Sequence, residues 1–157
     1  MNIKRSMLSV LIIMLVMVIS GCGKNNSDDT PTTPAVTTTV ITSGTGTIKA
    51  IPAGTQDYKI HNIDTNSYTT GGTLKVEIVL GSGLCSGSFD LFSQGATIPT
   101  SGTANSLAHS YDVAPGATTT VTYTFTQGQI FQFGATGNWY STTGTTNTYS
   151  FTAKVTK

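Results

Sequence analysis

The stretch Gly83-Leu84-Cys85-Ser86-Gly87 has the Gly-x-Cys-x-Gly shape of a nucleophile elbow. Such an elbow needs a strand before the nucleophile and a helix after it, so that the thiol sits at a helix N-terminus. Residues 89–92 alternate as a strand does, so no helix is expected to follow Gly87. His61 or His109 would have to act as base, and Asp57, Asp90 or Asp112 as orienting acid. A small hydrolase built on Cys85 is therefore a remote reading. Cys85 is more simply read as a small buried apolar residue, with a reactive thiol or an intermolecular disulfide as the sharper alternatives.

Metal chemistry has little to rest on. Neither histidine has a Cys, His or carboxylate at ligand spacing, so no zinc site is expected and both read as surface or turn residues. Asp64-x-Asn66 places two oxygens at alternate positions, as calcium loops do, but lacks the Gly and the bidentate Glu of an EF-hand. It reads as a turn. The best pointer to binding is Asn138-Trp139-Tyr140, in a polar stretch that holds the chain's one tryptophan. Exposed aromatic rings stack on sugars and are favoured at interfaces. The competing reading is a tryptophan that folds back to plug one end of the fold.

The N-terminus is of another kind. Lys4 and Arg5 are followed by residues 7–19, apolar except for Ser9, and then by Ile19-Ser20-Gly21-Cys22. Those thirteen positions suit the core of a signal peptide and are too few to cross a bilayer as a helix. Residues 1–23 resemble a bacterial lipoprotein signal, with Ile19 where that pattern most often has Leu. The resemblance implies cleavage between Gly21 and Cys22, a diacylglyceryl group on the Cys22 sulfur and an acyl group on its new amine, and no other cofactor. Two or more acyl chains anchor stably where one is marginal. Gly23 in place of Asp implies the outer rather than the inner membrane of a bacterial cell envelope. With Cys22 lipidated, Cys85 has no intramolecular disulfide partner.

Beyond residue 21, six lysines face seven carboxylates, a balance of −1. No basic patch is available for a phosphate backbone, so nucleic acid is not an expected partner. All 31 threonines lie beyond residue 29. Thr, Val, Ile, Tyr and Phe favour strands, and no long stretch has helical periodicity, so an all-β domain is expected. Residues 22–43, from the lipidated Cys22 through a Thr/Pro-rich run, read as a flexible tether. Val36, Val40 and Ile41 leave room for a first edge strand within it.

Residues 44–157 read as one domain of about 110 residues, enough for a single core. Strands are expected over 45–51, 56–63, 73–80, 88–93, 107–113, 118–126, 129–133 and 148–156. In the third, Leu74, Val76, Ile78 and Leu80 share a face; in the last, Tyr149, Phe151, Ala153 and Val155 do. Gln127-Gly128 reads as a tight hairpin between its flanking strands. Residues 134–147 read as a loop. Seven or eight such strands make an antiparallel β-sandwich, jelly-roll or Ig-like, with one face of each sheet buried and the other wet, after an N-terminal signal helix and a disordered tether.

The succession GTLKVEIVL, SFDLFSQGATI, TYTFTQGQIFQF and NTYSFTAKV, across residues 56–156, is similar in rhythm to bacterial pre-peptidase C-terminal domains. These are small β-sandwich modules of secreted proteins, and the resemblance implies an accessory binding or spacer role rather than catalysis. The combined expectation is a non-enzymatic lipoprotein of the cell envelope, held to the membrane by its lipid, with a structural or binding role. A polysaccharide or another envelope protein is its expected partner. A carbohydrate- or calcium-binding module that uses the Trp139 loop is the alternative.

Overall fold

The computed structural model describes residues 35–100 and 105–157. The expected signal peptide, its cleavage and lipidation site at Gly21 and Cys22, and the tether as far as residue 34 lie outside these residues. No helix occurs among the described residues. Eight strands do: β1 (Thr38–Lys49), β2 (Lys59–Asp64), β3 (Gly72–Leu80), β4 (Gly87–Phe92), β5 (Ala108–Val113), β6 (Thr118–Phe125), β7 (Ile130–Gly137) and β8 (Thr146–Thr156).

They form two antiparallel four-stranded sheets, ordered β1-β8-β3-β6 and β2-β7-β4-β5. That order, with successive strands mostly changing sheet, makes the sandwich a jelly roll rather than an Ig-like fold. The alternation read from the sequence places the core. Leu74, Val76, Ile78 and Leu80 of β3, and Tyr149, Phe151, Ala153 and Val155 of β8, are buried against Phe89 and Leu91 of β4 and Phe131 and Phe133 of β7. Phe89 stacks on Phe133 with the rings 5° from parallel. Each large apolar side chain among them contributes about 1.5–3 kcal/mol on burial, so this layer between the sheets is a main source of stability.

The outer face of the first sheet is wet, as expected. Threonines of β6 and β8 flank Lys75, Glu77 and Lys154, which form a surface ion cluster. The lysines, Lys154 first, hold the Glu77 carboxyl below its ordinary range.

Three expectations are corrected. The boundary after residue 43 falls inside β1, whose first half is the edge strand that Val36, Val40 and Ile41 left open. Thr38 to Ser43 pair with β8 from Thr156 to Thr152. Gln127-Gly128 is a turn but not a hairpin, because β6 and β7 belong to different sheets. Gly128 is needed for close passage instead: a Cβ there would sit 2.0 Å from the Thr65 carbonyl oxygen. Finally, β7 runs on to Gly137 through residues that read as loop. It is a central strand between β2 and β4, and its small residues admit neighbours. A Cβ at Gly137 would meet the Lys49 carbonyl oxygen at 2.2 Å, and one at Gly134 would meet the Tyr58 ring at 2.8 Å.

Candidate binding cleft on the second sheet

The second sheet departs from the rule of one wet face. All six residues of β4 are buried. Phe89 and Leu91 enter the core, while Ser88, Asp90 and Phe92 lie on the other face, where Tyr58, at the end of the connection before β2, covers Asp90 and Phe92. That connection meets the described part of the one before β5 where Gln56 N–H donates to the Thr100 carbonyl at 2.8 Å. Tyr58 packs edge-on against Phe92, with ring centroids 5.5 Å apart.

Asp90, wholly buried, is the centre of this covered face. Tyr58 donates to its Oδ2 at 2.8 Å, and Tyr111 of β5 donates to its Oδ1 at 3.1 Å. The two hydroxyls satisfy a carboxylate that would otherwise be costly to bury. Burial, reinforced by Asp90, pushes both phenols above the ordinary tyrosine range, so both keep their protons across the physiological range.

A second network holds the loop after β7. Ser88 donates to Asn138 Oδ1. Asn138 Nδ2 donates to Asp112 Oδ1 at 3.2 Å and to the Tyr140 hydroxyl at 2.6 Å. Tyr140 in turn donates to Asp112 Oδ1 at 2.8 Å. Burial first, then Asp112, raises the Tyr140 phenol as well. Asp112 alone among the described non-glycine residues has a positive φ, 59°. An aspartate tolerates that left-handed conformation better than most residues, and here it turns the carboxylate toward the loop.

Between the two networks lies a cleft of about 260 Å³, lined by Gln56, Tyr58, Tyr111, Asp112, Asn138 and Trp139 among others. Trp139 does not plug the sandwich: it is 61 % exposed at the rim, edge-on to Tyr140. Thr136 is buried in the wall of the cleft, and its Oγ1 has no hydrogen-bond partner. Lysine and arginine are missing from the lining. The site thus offers a flat apolar ring, a row of hydroxyls and carboxylate charge, the equipment for holding a polar uncharged molecule.

Asn138, Trp139 and Tyr140, picked out by composition, are therefore brought together with a cleft. Asp90, Tyr58, Tyr111 and Asp112 were missed as its partners. The available signal was Phe92 beside Asp90 on the supposedly wet side of β4, which meant that this side was covered too.

The other candidates disperse. Cys85 is a free, fully buried thiol whose Sγ–H donates to the Ser86 carbonyl at 3.1 Å, and burial raises its pKa. It is followed by β4 rather than a helix, so the elbow geometry is absent. Its loop is stapled by Asn147, which donates to the carbonyls of Gly81 and Cys85 and accepts from Gly83 N–H. His109 is exposed on β5 and stacks on Tyr111 at 4.2 Å. His61, expected in a turn or on the surface, is instead half-buried on β2. Its Nε2 lies 2.7 Å from the Tyr149 hydroxyl, and its ring touches Phe133 and Phe151. Asp64 Oδ1 accepts from Asn66 N–H at 2.9 Å, closing an ordinary Asx turn. Among the described residues no three His, Cys, Asp or Glu side chains come together as a metal site.

No family model matches the chain, and no curated protein matches it. Solved structures give distant likenesses. A chain from the structure of infectious bursal disease virus Gx strain is 16 % identical, with a TM-score of 0.41 over 88 % of this chain. This chain spans 37 % of that viral chain's length. A carbohydrate binding module from Cellvibrio mixtus lichenase 5A, in complex with cellotriose, is 17 % identical, with a TM-score of 0.35 over 76 % of this chain and 98 % of that one. Neither superposition is close enough to transfer a ligand or a role.

Proposed function

We propose that this chain is a non-enzymatic, lipid-anchored binding protein of the bacterial cell envelope, and that its cleft holds a carbohydrate. The observation that carries the binding reading is the cleft itself. An exposed indole stands at its rim, above hydroxyls held by two hydrogen-bond networks, and the buried Thr136 hydroxyl has no partner within the protein. Sugars meet such sites with their apolar ring face on the aromatic and their hydroxyls on the polar groups. Calcium is the weaker choice, because Asp90 and Asp112 are each already engaged and, among the described residues, no third carboxylate joins them.

The anchor reading rests on Ile19-Ser20-Gly21-Cys22. Fifteen residues, 23–37, separate Cys22 from β1. Fully extended they could hold the sandwich about 50 Å from the membrane surface. With Cys22→Ser, the protein should move from the membrane fraction to the soluble fraction and lose its labelling by radioactive fatty acid. Unchanged labelling would end the lipoprotein reading.

The carbohydrate reading is tested by titrating the full-length protein in detergent with soluble polysaccharides while following the emission of Trp139, the one tryptophan. The expected result is a red, exposed starting spectrum and a saturable blue shift with at least one polymer. In Trp139→Ala, binding followed by calorimetry should weaken about tenfold or more, since an aromatic contact is worth about 0.5–1.5 kcal/mol beyond its buried area. Its melting temperature should be unchanged. Emission indifferent to every polymer would remove the reading.

A further inference from the structure

The hydrogen atoms around the cleft are distributed unevenly. Tyr58 and Tyr111 spend their hydroxyl protons on Asp90, and Tyr140 spends its own on Asp112. Both Asn138 amide protons are used, on Asp112 and on the Tyr140 oxygen. Ser88 gives its proton to Asn138, and Thr55 gives its own to the Pro52 carbonyl at 2.7 Å. Almost every donor of the two networks points into the protein. What those groups turn outward is lone pairs, backed by the negative charge of Asp112 in the wall and of Asp90 beneath the floor. Thr136, buried and unpartnered, is the hydroxyl whose proton remains uncommitted. A group that fits such a surface brings its own protons.

We propose that the cleft is an acceptor surface that selects its glycan by charge: it takes neutral sugar units, whose hydroxyls donate, and rejects units that carry a carboxylate or sulfate. An anionic group here would find few donors, the Thr136 hydroxyl, the Trp139 indole N–H and the Gln56 amide, and a like charge at Asp112, with no lysine or arginine in the lining to offset it. Like-charge juxtaposition is one of the repulsive elements by which an interface discriminates between partners. The selection rests on the carbohydrate reading above and narrows it to uncharged polymers.

The test uses matched pairs. Neutral glucan, mannan and galactan, and the polyuronates made from each by oxidation of the C6 alcohol, are titrated into the full-length protein in detergent at low ionic strength. For whichever backbone binds, the polyuronate should bind at least about tenfold more weakly than its neutral parent, the size of effect expected from like-charge juxtaposition. Asp112→Asn keeps an acceptor for Asn138 and Tyr140 and tolerates the positive φ, so it should fold. It should narrow the gap between the two, raising polyuronate affinity relative to that of the neutral parent. A polyuronate that binds as well as its parent would overturn the selection and leave the carbohydrate reading standing. Asp112→Asn that weakens both polymers alike would make Asp112 a loop anchor and also overturn it. Indifference to all six polymers would take away the carbohydrate reading and the selection with it.

Discussion

Asp90 and His61 are each ionisable groups placed where a strand turns a polar side chain toward packed atoms, and the two are treated differently. Asp90 receives two tyrosine hydroxyls and becomes the keystone of the cleft. His61 receives one hydroxyl and three aromatic rings, and burial lowers its pKa below the ordinary histidine value. Tyr149, on the other side of that contact, is pushed up to about 12 by burial, so it stays protonated. A depressed histidine means that the unfolded chain binds the proton first on acidification, so stability is lost as pH falls below about 6.5. The urea midpoint of the wild-type protein should therefore drop between pH 7.5 and pH 5 by more than that of His61→Gln, which cannot take up the proton. Equal drops in the two proteins would mean that His61 is not the group responsible. Neither environment was legible from residue type alone: an alternating strand says which way a side chain points but not what a distant loop lays over it.

At the scale of elements, large apolar residues two apart announced β3, β6 and β8 and the faces they bury. The strands that were misjudged are those where small or polar residues do the packing. The end of β7 reads as loop because Gly134, Ala135 and Gly137 are the residues that a crowded central strand requires. The start of β1 reads as tether because its outer half is an exposed edge, whose cohesion comes from main-chain pairing with β8 and not from burial. That pairing is testable. A protein spanning residues 35–157 should unfold at a clearly higher urea concentration than one spanning 44–157, which loses the ladder from Thr38 to Ser43. Matching midpoints would show that this half of β1 contributes nothing.

The described part of the chain, from residue 35 on, is a jelly roll with two unlike outsides. One sheet shows water a field of threonines around a small ion cluster; the other is covered in part by the connection before β2, with the cleft beside the exposed Trp139. The sandwich was legible because strand alternation and turn residues are local. The sheet order was not, because of the eight described strands only β4 and β5 are both consecutive and paired, so a turn such as Gln127-Gly128 says nothing about which strands meet. The cleft was half legible for the same reason: Asn138-Trp139-Tyr140 is one stretch of sequence, whereas Tyr58, Asp90 and Tyr111 meet only through the fold. The placement of the ligand is best tested by amide chemical-shift mapping of the protein with the polysaccharide that shifts Trp139 emission. The shifts should cluster at Trp139, Asn138, Thr136, Tyr111 and Gln56, on the second sheet. Shifts confined to the threonine face of the first sheet, or spread evenly over the molecule, would contradict a binding cleft.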